Sequence, residues 1–237
     1  MSLQALQRRA AGARSSRRRL LLVAGSAVVL VVTAVWALFF SSWFTVTAVR
    51  VEGVTVLSAG DVLRVAAVRD GIPLIRFDGD GAEERVGALP PVEEVSVSRR
   101  WPHTVVITVV ERQPALAVPS AAGFSIYDGA GVAYTEVVAA PAGVPQLNSG
   151  GSDPVESALV EDVLSVLDAL PGPLLDRLVT VRAETADSIE LDLADGVVVV
   201  WGSAEQTPRK VEVLTALMQQ PGRVYIVSAP EVPAIRE

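Results

Sequence analysis

The sequence predicts an α+β protein. It reads as an N-terminal transmembrane helix, then a β-α-α-β-β unit, then a mostly antiparallel β domain with two helices. Three observations lead there. A charge-free apolar run, Leu20 to Phe40, follows directly on a block of arginines. After it, β-branched runs and short helical patterns alternate in a definite order. The remaining residues return to short strand-like runs, broken by Asp-Gly turns and by two stripes with helical spacing.

The apolar run comes first along the chain. LLLVAGSAVVLVVTAVWALFF holds 21 residues without a charge. As a helix it spans about 30 Å, the hydrocarbon thickness of a bilayer. Trp36, Phe39, Phe40 and Trp43 gather at its C-terminal end, as an aromatic belt does. Residues 1–19 carry six arginines and no acid. The positive-inside rule then makes 1–19 a basic cytoplasmic tail, 20–40 a transmembrane helix, and everything later extracytoplasmic. Val35 to Ala37 reads like a signal-peptide cleavage site, but the apolar run exceeds the ~7–15 residues of a signal core, so the anchor is read as uncleaved. The expected topology is single-pass type II in the plasma membrane, with the tail also touching anionic lipid.

The first exported unit is placed at 44–113. FTVTAVRVEGV is a β-rich run closed by Gly53. Ser58 then caps a helix, with Asp61 near its positive end and Leu57 and Val62 set for a hydrophobic staple. Val62, Leu63, Ala66 and Ala67 supply the apolar face, and Asp70-Gly71 ends it. Asp78 or Asp80 caps a second helix, AEERVGAL, which Pro90-Pro91 stops. VEEVSVSRR and TVVITVVER form a hairpin around Trp101-Pro102-His103.

The second unit is placed at 114–237. ALAVPS and GFSIYDGAGVAY read as strands, with Asp128-Gly129 and Gly131 at the turn. GVPQLNSGGSDP reads as a loop, and Asp153-Pro154 starts a helix. Val155, Leu159, Val163, Leu167 and Leu170 recur at i, i+4 and i+8, one buried stripe, before Pro171-Gly172-Pro173. VTVRAE, SIELDLADGVVVVWG and RVYIVS are strands, two of them joined by Asp195-Gly196. Thr207-Pro208 opens a helix with Val211, Leu214, Leu217 and Met218 facing inward.

Composition narrows the chemistry. The chain has no cysteine and one histidine, His103. Disulfides, thiolate catalysis, cysteine zinc sites and sites with two imidazoles are excluded. Net charge is −7, and without the arginines of the tail 14 basic residues face 27 acidic ones, an acidic bulk that argues against nucleic-acid binding. Glu83-Glu84 and Glu93-Glu94 are adjacent pairs, and neighbours on a strand or helix do not face one another as paired catalytic carboxylates must. No G-x-S-x-G, S-x-x-K or H-E-x-x-H motif occurs. His103, beside Pro102 in a turn, reads as a surface scaffold residue. Arg99 and Arg100 read as exposed partners of Glu93 and Glu94, worth ~0–1 kcal/mol each. Trp101 and Trp201 read as core or rim residues. The expectation is a non-enzyme without cofactor, metal or small-molecule substrate.

The stretch VSVSRRWPHTVVITVVERQP, with GIPLIRFD and ALPPVEEV before it, resembles a POTRA (polypeptide-transport-associated) domain. More narrowly, it resembles that of the bacterial cell-division proteins FtsQ and DivIB. VVVWGS, the following Lys210 and VYIVSAPEVPAIR are similar to their C-terminal β domain. One position departs: the family often has an aspartate before the valine-serine of the last strand, where this chain has Ile226. The resemblance implies a scaffold of the divisome at the division septum. It implies that the last strands receive a segment of FtsB/DivIC-like and FtsL-like bitopic partners, and that the POTRA unit helps recruitment.

A sheet edge exposes unpaired N–H and C=O groups to which a partner strand can add. RVYIVS is read as that edge, with Val224, Tyr225, Ile226, Val227 and Ser228 as the partner-binding residues. The prolines of APEVP are expected to stop the ladder after it. Val95 and Val97, on the POTRA hairpin, are second candidates. Two other readings are an exported enzyme acting on cell-wall glycan and a POTRA-type transport chaperone. The single POTRA copy, the absence of a barrel and the uncleaved anchor count against the chaperone.

Overall fold

The computed structural model describes residues 22–37, 39–151 and 155–237. The basic tail expected at 1–19 lies outside the described residues, as do Leu20, Leu21 and Leu38 of the expected span and the Asp153-Pro154 helix start. Backbone over 22–37 is helical. Among the described residues, no helix is long and apolar enough to cross a membrane. The chain divides into two compact units, with the boundary between Glu111 and Arg112.

In the first unit, β1 (Ala48–Glu52) is followed by α1 (Ala59–Ala66), α2 (Gly79–Gly87), β2 (Val92–Arg100) and β3 (Thr104–Glu111). This is the β-α-α-β-β order read from the sequence. The sheet order is β1-β3-β2, with β1 parallel and β2 antiparallel to the central β3. Central position explains why β3 reads as an almost unbroken valine and isoleucine run, buried along most of its length. Ser58 caps α1 by accepting from the Gly60 amide, and Asp78 caps α2 by accepting from Gly81. Val62, Ala66, Ala82 and Val86 from these helices meet Val105, Ile107 and Val109 in one core.

Three local expectations are corrected. α1 stops at Ala66, short of Asp70-Gly71, because Ala67 turns left-handed (φ 51°). Leu63, about 100° round the helix from Val62, and Ala67, past its end, are both exposed, so Val62 and Ala66 alone carry the buried face. Arg99 reaches across to the Phe77 carbonyl (2.7 Å) rather than serving as a surface partner of Glu93 or Glu94.

Among the described residues, the second unit is built on one nine-stranded sheet. Its strands are β4 (Leu116–Ser120), β5 (Gly123–Tyr127), β6 (Ala133–Val137), β7 (Gln146–Asn148), β8 (Leu178–Arg182), β9 (Ile189–Leu193), β10 (Val198–Gly202), β11 (Val224–Ile226) and β12 (Ala234–Arg236). Their spatial order is β12-β11-β10-β9-β8-β7-β4-β5-β6. The pairs β10–β11, β4–β7 and β7–β8 are parallel and the other five antiparallel, so the sheet is mostly antiparallel. α3 (Ser157–Ala169), a short α4 (Gly172–Leu175) and α5 (Thr207–Leu217) complete it. The predicted stripe holds: Leu159, Val163, Leu167 and Leu170 are buried with Leu191, Trp201 and Leu214. Two strands were not anticipated. β7 lies within the stretch read as a loop, and β12 lies beyond the prolines read as the end of the ladder.

Candidate functional site

β11 is positioned by β10. The Val198 amide donates to the Arg223 carbonyl (2.8 Å), and the Val227 amide to the Val200 carbonyl (2.9 Å). These bonds turn the carbonyl of Arg223 and the main chain of Tyr225 and Val227 toward β10, while the Arg223 amide donates the other way, to the Arg236 carbonyl (3.0 Å). By alternation Val224 and Ile226 face the other way. There they meet β12, in the register Val224↔Arg236, Tyr225↔Ile235 and Ile226↔Ala234.

The expectation that Val224–Ser228 forms the free margin is therefore corrected. Val224, Tyr225 and Ile226 are flanked on both sides by the chain's own strands. Val227 and Ser228 continue past the strand, and Val227 is held by Val200. The physical reason lies in APEVP. Its prolines build a turn, in which the Val232 amide donates to the Ala229 carbonyl (3.0 Å), and the chain comes back as β12. The open edge is displaced by one strand.

On that edge the alternation sets which groups are free. Ala234 and Arg236 face β11, so the amide and carbonyl of Ile235 turn outward. Pro233 before it brings no N–H. The Ile235 side chain packs on the core of the unit. Close packing holds this corner. A Cβ on Gly222 would lie 2.3 Å from Cγ2 of Ile235, and one on Gly202 (φ +79°) 2.9 Å from Cβ of Ser228. The Tyr225 hydroxyl, on a buried ring, donates to the Gln220 carbonyl (2.8 Å). Beneath β10, the fully buried Trp201 points its indole N–H at the Thr207 hydroxyl (3.4 Å). Lys210, 2% exposed, extends from α5 to donate to the Ser203 carbonyl (2.8 Å). Burial pulls its ammonium below the usual lysine range, with Glu205 opposing in part.

Val95 and Val97 sit elsewhere. Both are half-buried and pack on the core of the first unit, Val95 beside Gly87 of α2. The outward amide of Val97 is taken by the Glu83 carboxylate (2.6 Å). They lie on the inner face of β2 rather than on a free surface. His103 lies exposed in the hairpin turn, and its carbonyl accepts from the Thr47 amide (3.0 Å).

The sequence reading passed over Glu111. It ends β3 at 6% exposure, and its carboxylate accepts the amides of Thr55 (3.1 Å), Val56 (3.0 Å) and Leu57 (2.7 Å) together with the Thr55 hydroxyl. Burial alone raises its pKa. The Thr55 hydroxyl and the three amides outweigh that and bring it down to about 2. The carboxylate is fully engaged in holding the loop before α1, which is structural work. Among the described residues, no group of three or more His, Asp or Glu side chains is placed to hold a metal ion.

A three-stranded β-α-α-β-β unit followed by a nine-stranded sheet with a short open end is a two-domain arrangement that comparison with known proteins assigns. Residues 44–112 match the FtsQ-type POTRA domain, and residues 118–229 match the C-terminal domain of cell division protein FtsQ/DivIB. Along most of the chain the similarity extends to whole proteins. It is 36% identical to cell division protein FtsQ of Streptomyces venezuelae over 209 residues, 84% of this chain and 77% of that one. It is 38% identical to the FtsQ of Streptomyces bingchenggensis over 209 residues, 84% and 79% of the two chains. Against the FtsQ of Mycobacterium tuberculosis the figure is 34% over 203 residues, 84% and 63%. The chain belongs to the FtsQ/DivIB family, and it is a cell-division protein of the divisome.

Proposed function

We propose that the chain is a bitopic membrane scaffold that works by capturing other division proteins on the open edge of β12. In this reading residues 20–40 anchor it in the plasma membrane, the tail 1–19 is cytoplasmic, and both folded units lie outside the cell at the septum. A segment of an FtsB/DivIC-like or FtsL-like partner adds to β12 as a further strand. Capture links early assembly to septal wall synthesis, with no covalent chemistry and no cofactor. The anchor raises the effective concentration of partners held in the same membrane.

The observation that carries the proposal is the outward Ile235 amide and carbonyl on a strand that has β11 on one side and, among the described residues, no strand on the other. Val224–Ser228 enter one row in. Val224 and Ile226 fix β12 through their main chain, Tyr225 packs beneath it, and Val227 and Ser228 hold the end of β11, Val227 by its bond to Val200. Support for the anchor comes from the uncharged 21-residue run and the arginines before it. The POTRA unit serves recruitment, and Val95 and Val97 contribute by fixing β2 from inside.

Ile235→Pro tests this directly. It removes the outward N–H and leaves every bond between β11 and β12 in place. Partner pull-down by the full chain is expected to fall by about tenfold, which corresponds to ~1.4 kcal/mol. Undiminished capture by a variant with unchanged circular dichroism would refute strand addition at β12.

A further inference from the structure

We propose that the first unit rests on the phospholipid headgroup layer through a collar of Trp43, Trp101, Arg76 and Arg100. The proposal rests on the anchor reading above. It adds that this unit is docked on the lipid rather than swinging free of it.

The tether leaves little slack. The Ser41 amide still donates to Ala37 (2.9 Å), and Ser42–Phe44 form a 3₁₀ turn. Thr45 then bridges to Pro73. Val46 is held on both sides, its amide to Ile72 (2.8 Å) and its carbonyl from Gly71 (2.9 Å), and the Thr47 amide bonds the His103 carbonyl (3.0 Å). From Phe40 to Thr45 is five steps, at most about 17 Å even if fully extended. The loop at 71–76 and the hairpin tip at 101–103 are thereby held close to the end of the apolar helix.

The side chains at that level are those of a membrane interface. Trp43 is 81% exposed and Trp101 47% exposed, although Trp101 meets Phe44 edge-on at 5.8 Å. The Arg76 guanidinium stands 5.5 Å from the Phe39 ring and 5.2 Å from the Phe40 ring. Arg100, exposed at the end of β2, adjoins the same hairpin tip. Indole rings favour the headgroup boundary, and guanidinium forks match phosphate oxygens. A protein partner could also cover exposed tryptophans. The short tether favours lipid, because the membrane is the surface this end of the unit is tied to.

The absence of cysteine allows a site-specific test on the full chain. His103→Cys labels the hairpin tip. Glu93→Cys labels the opposite end of β2, seven residues from Arg100 and about 23 Å away along the strand. Each carries an environment-sensitive fluorophore, in nanodiscs whose phospholipids bear a nitroxide at the headgroup. Quenching at 103 is expected to exceed that at 93 by about threefold or more. In the Arg76→Glu/Arg100→Glu background it is expected to fall toward the value at 93. Equal quenching at the two labels overturns the proposal, as does quenching at 103 that the double substitution leaves unchanged. A chain that fails to enter the discs overturns the anchor reading and the collar together. Incorporation with equal quenching removes the collar alone.

Discussion

Replacing Glu111 with glutamine tests how the first unit is held together. Its carboxylate collects three amides and a hydroxyl from Thr55–Leu57, and its pKa is lowered from 4.5 to about 2. At 1.36 kcal/mol per pH unit this amounts to about 3 kcal/mol of charge-dependent stability. The folded pKa lies below the unfolded one, so the contribution is complete above pH ~4.5 and disappears as pH falls toward 2. Near pH 3 about 1.4 kcal/mol of it remains. Glutamine removes the charge and turns an NH₂ group toward amide donors. The expected loss is therefore about 3 kcal/mol or more at pH 7, and smaller by about 2 kcal/mol at pH 3. Urea unfolding of the full chain, followed by hydrogen exchange in peptides covering 53–58 and 104–111, separates this unit from the other. A gap between wild type and E111Q that is the same at both pH values would show that the charge is not what fastens the loop.

Two further outcomes follow from the β12 corner and the helix beside it. Gly222→Ala puts a methyl into Cγ2 of Ile235, and is expected to cost about 1–3 kcal/mol. Faster hydrogen exchange at Val224 and Ile226, whose amides face β12, measures it, and unchanged protection contradicts the packing described. Lys210→Met removes a buried ammonium whose pKa is lowered by burial. Below its folded pKa the charged lysine costs stability, and the cost is relieved as pH rises from there toward 10.5. Thermal unfolding of wild type relative to K210M is therefore expected to improve across that alkaline window, and parallel curves would count against a desolvated charge.

Most of the fold was legible because its signals are strong and local. Ser58 announces one helix start, and Asp78 or Asp80 a second that the structure assigns to Asp78, by side-chain chemistry that needs no tertiary context. The stripe from Leu159 to Leu170 repeats long enough to define its period. β12 was illegible for the opposite reason. Ala234–Arg236 is three residues between a proline and the last glutamate, too short for alternation to register. It becomes a strand only because β11 offers it a ladder. The misplacement of the edge followed directly, since the outermost strand can be known only once every strand has been found. Glu111 did leave a signal. It falls in phase with Val105, Ile107 and Val109, on the inward side of β3, where a carboxylate demands a set of donors. What sequence alone withholds is the identity of those donors, the backbone amides of Thr55–Leu57.

The brevity of β12 has a consequence for how long any guest would stay. Ile235 presents a single amide–carbonyl pair to the outside, and Pro233 interrupts the row immediately before it. Two main-chain bonds at about 1 kcal/mol each form a weak clasp. Occupancy would then depend on how many molecules crowd the same patch of membrane, and release would be quick once that crowd disperses. Such a clasp suits a machine that is assembled for one constriction and taken apart before the next.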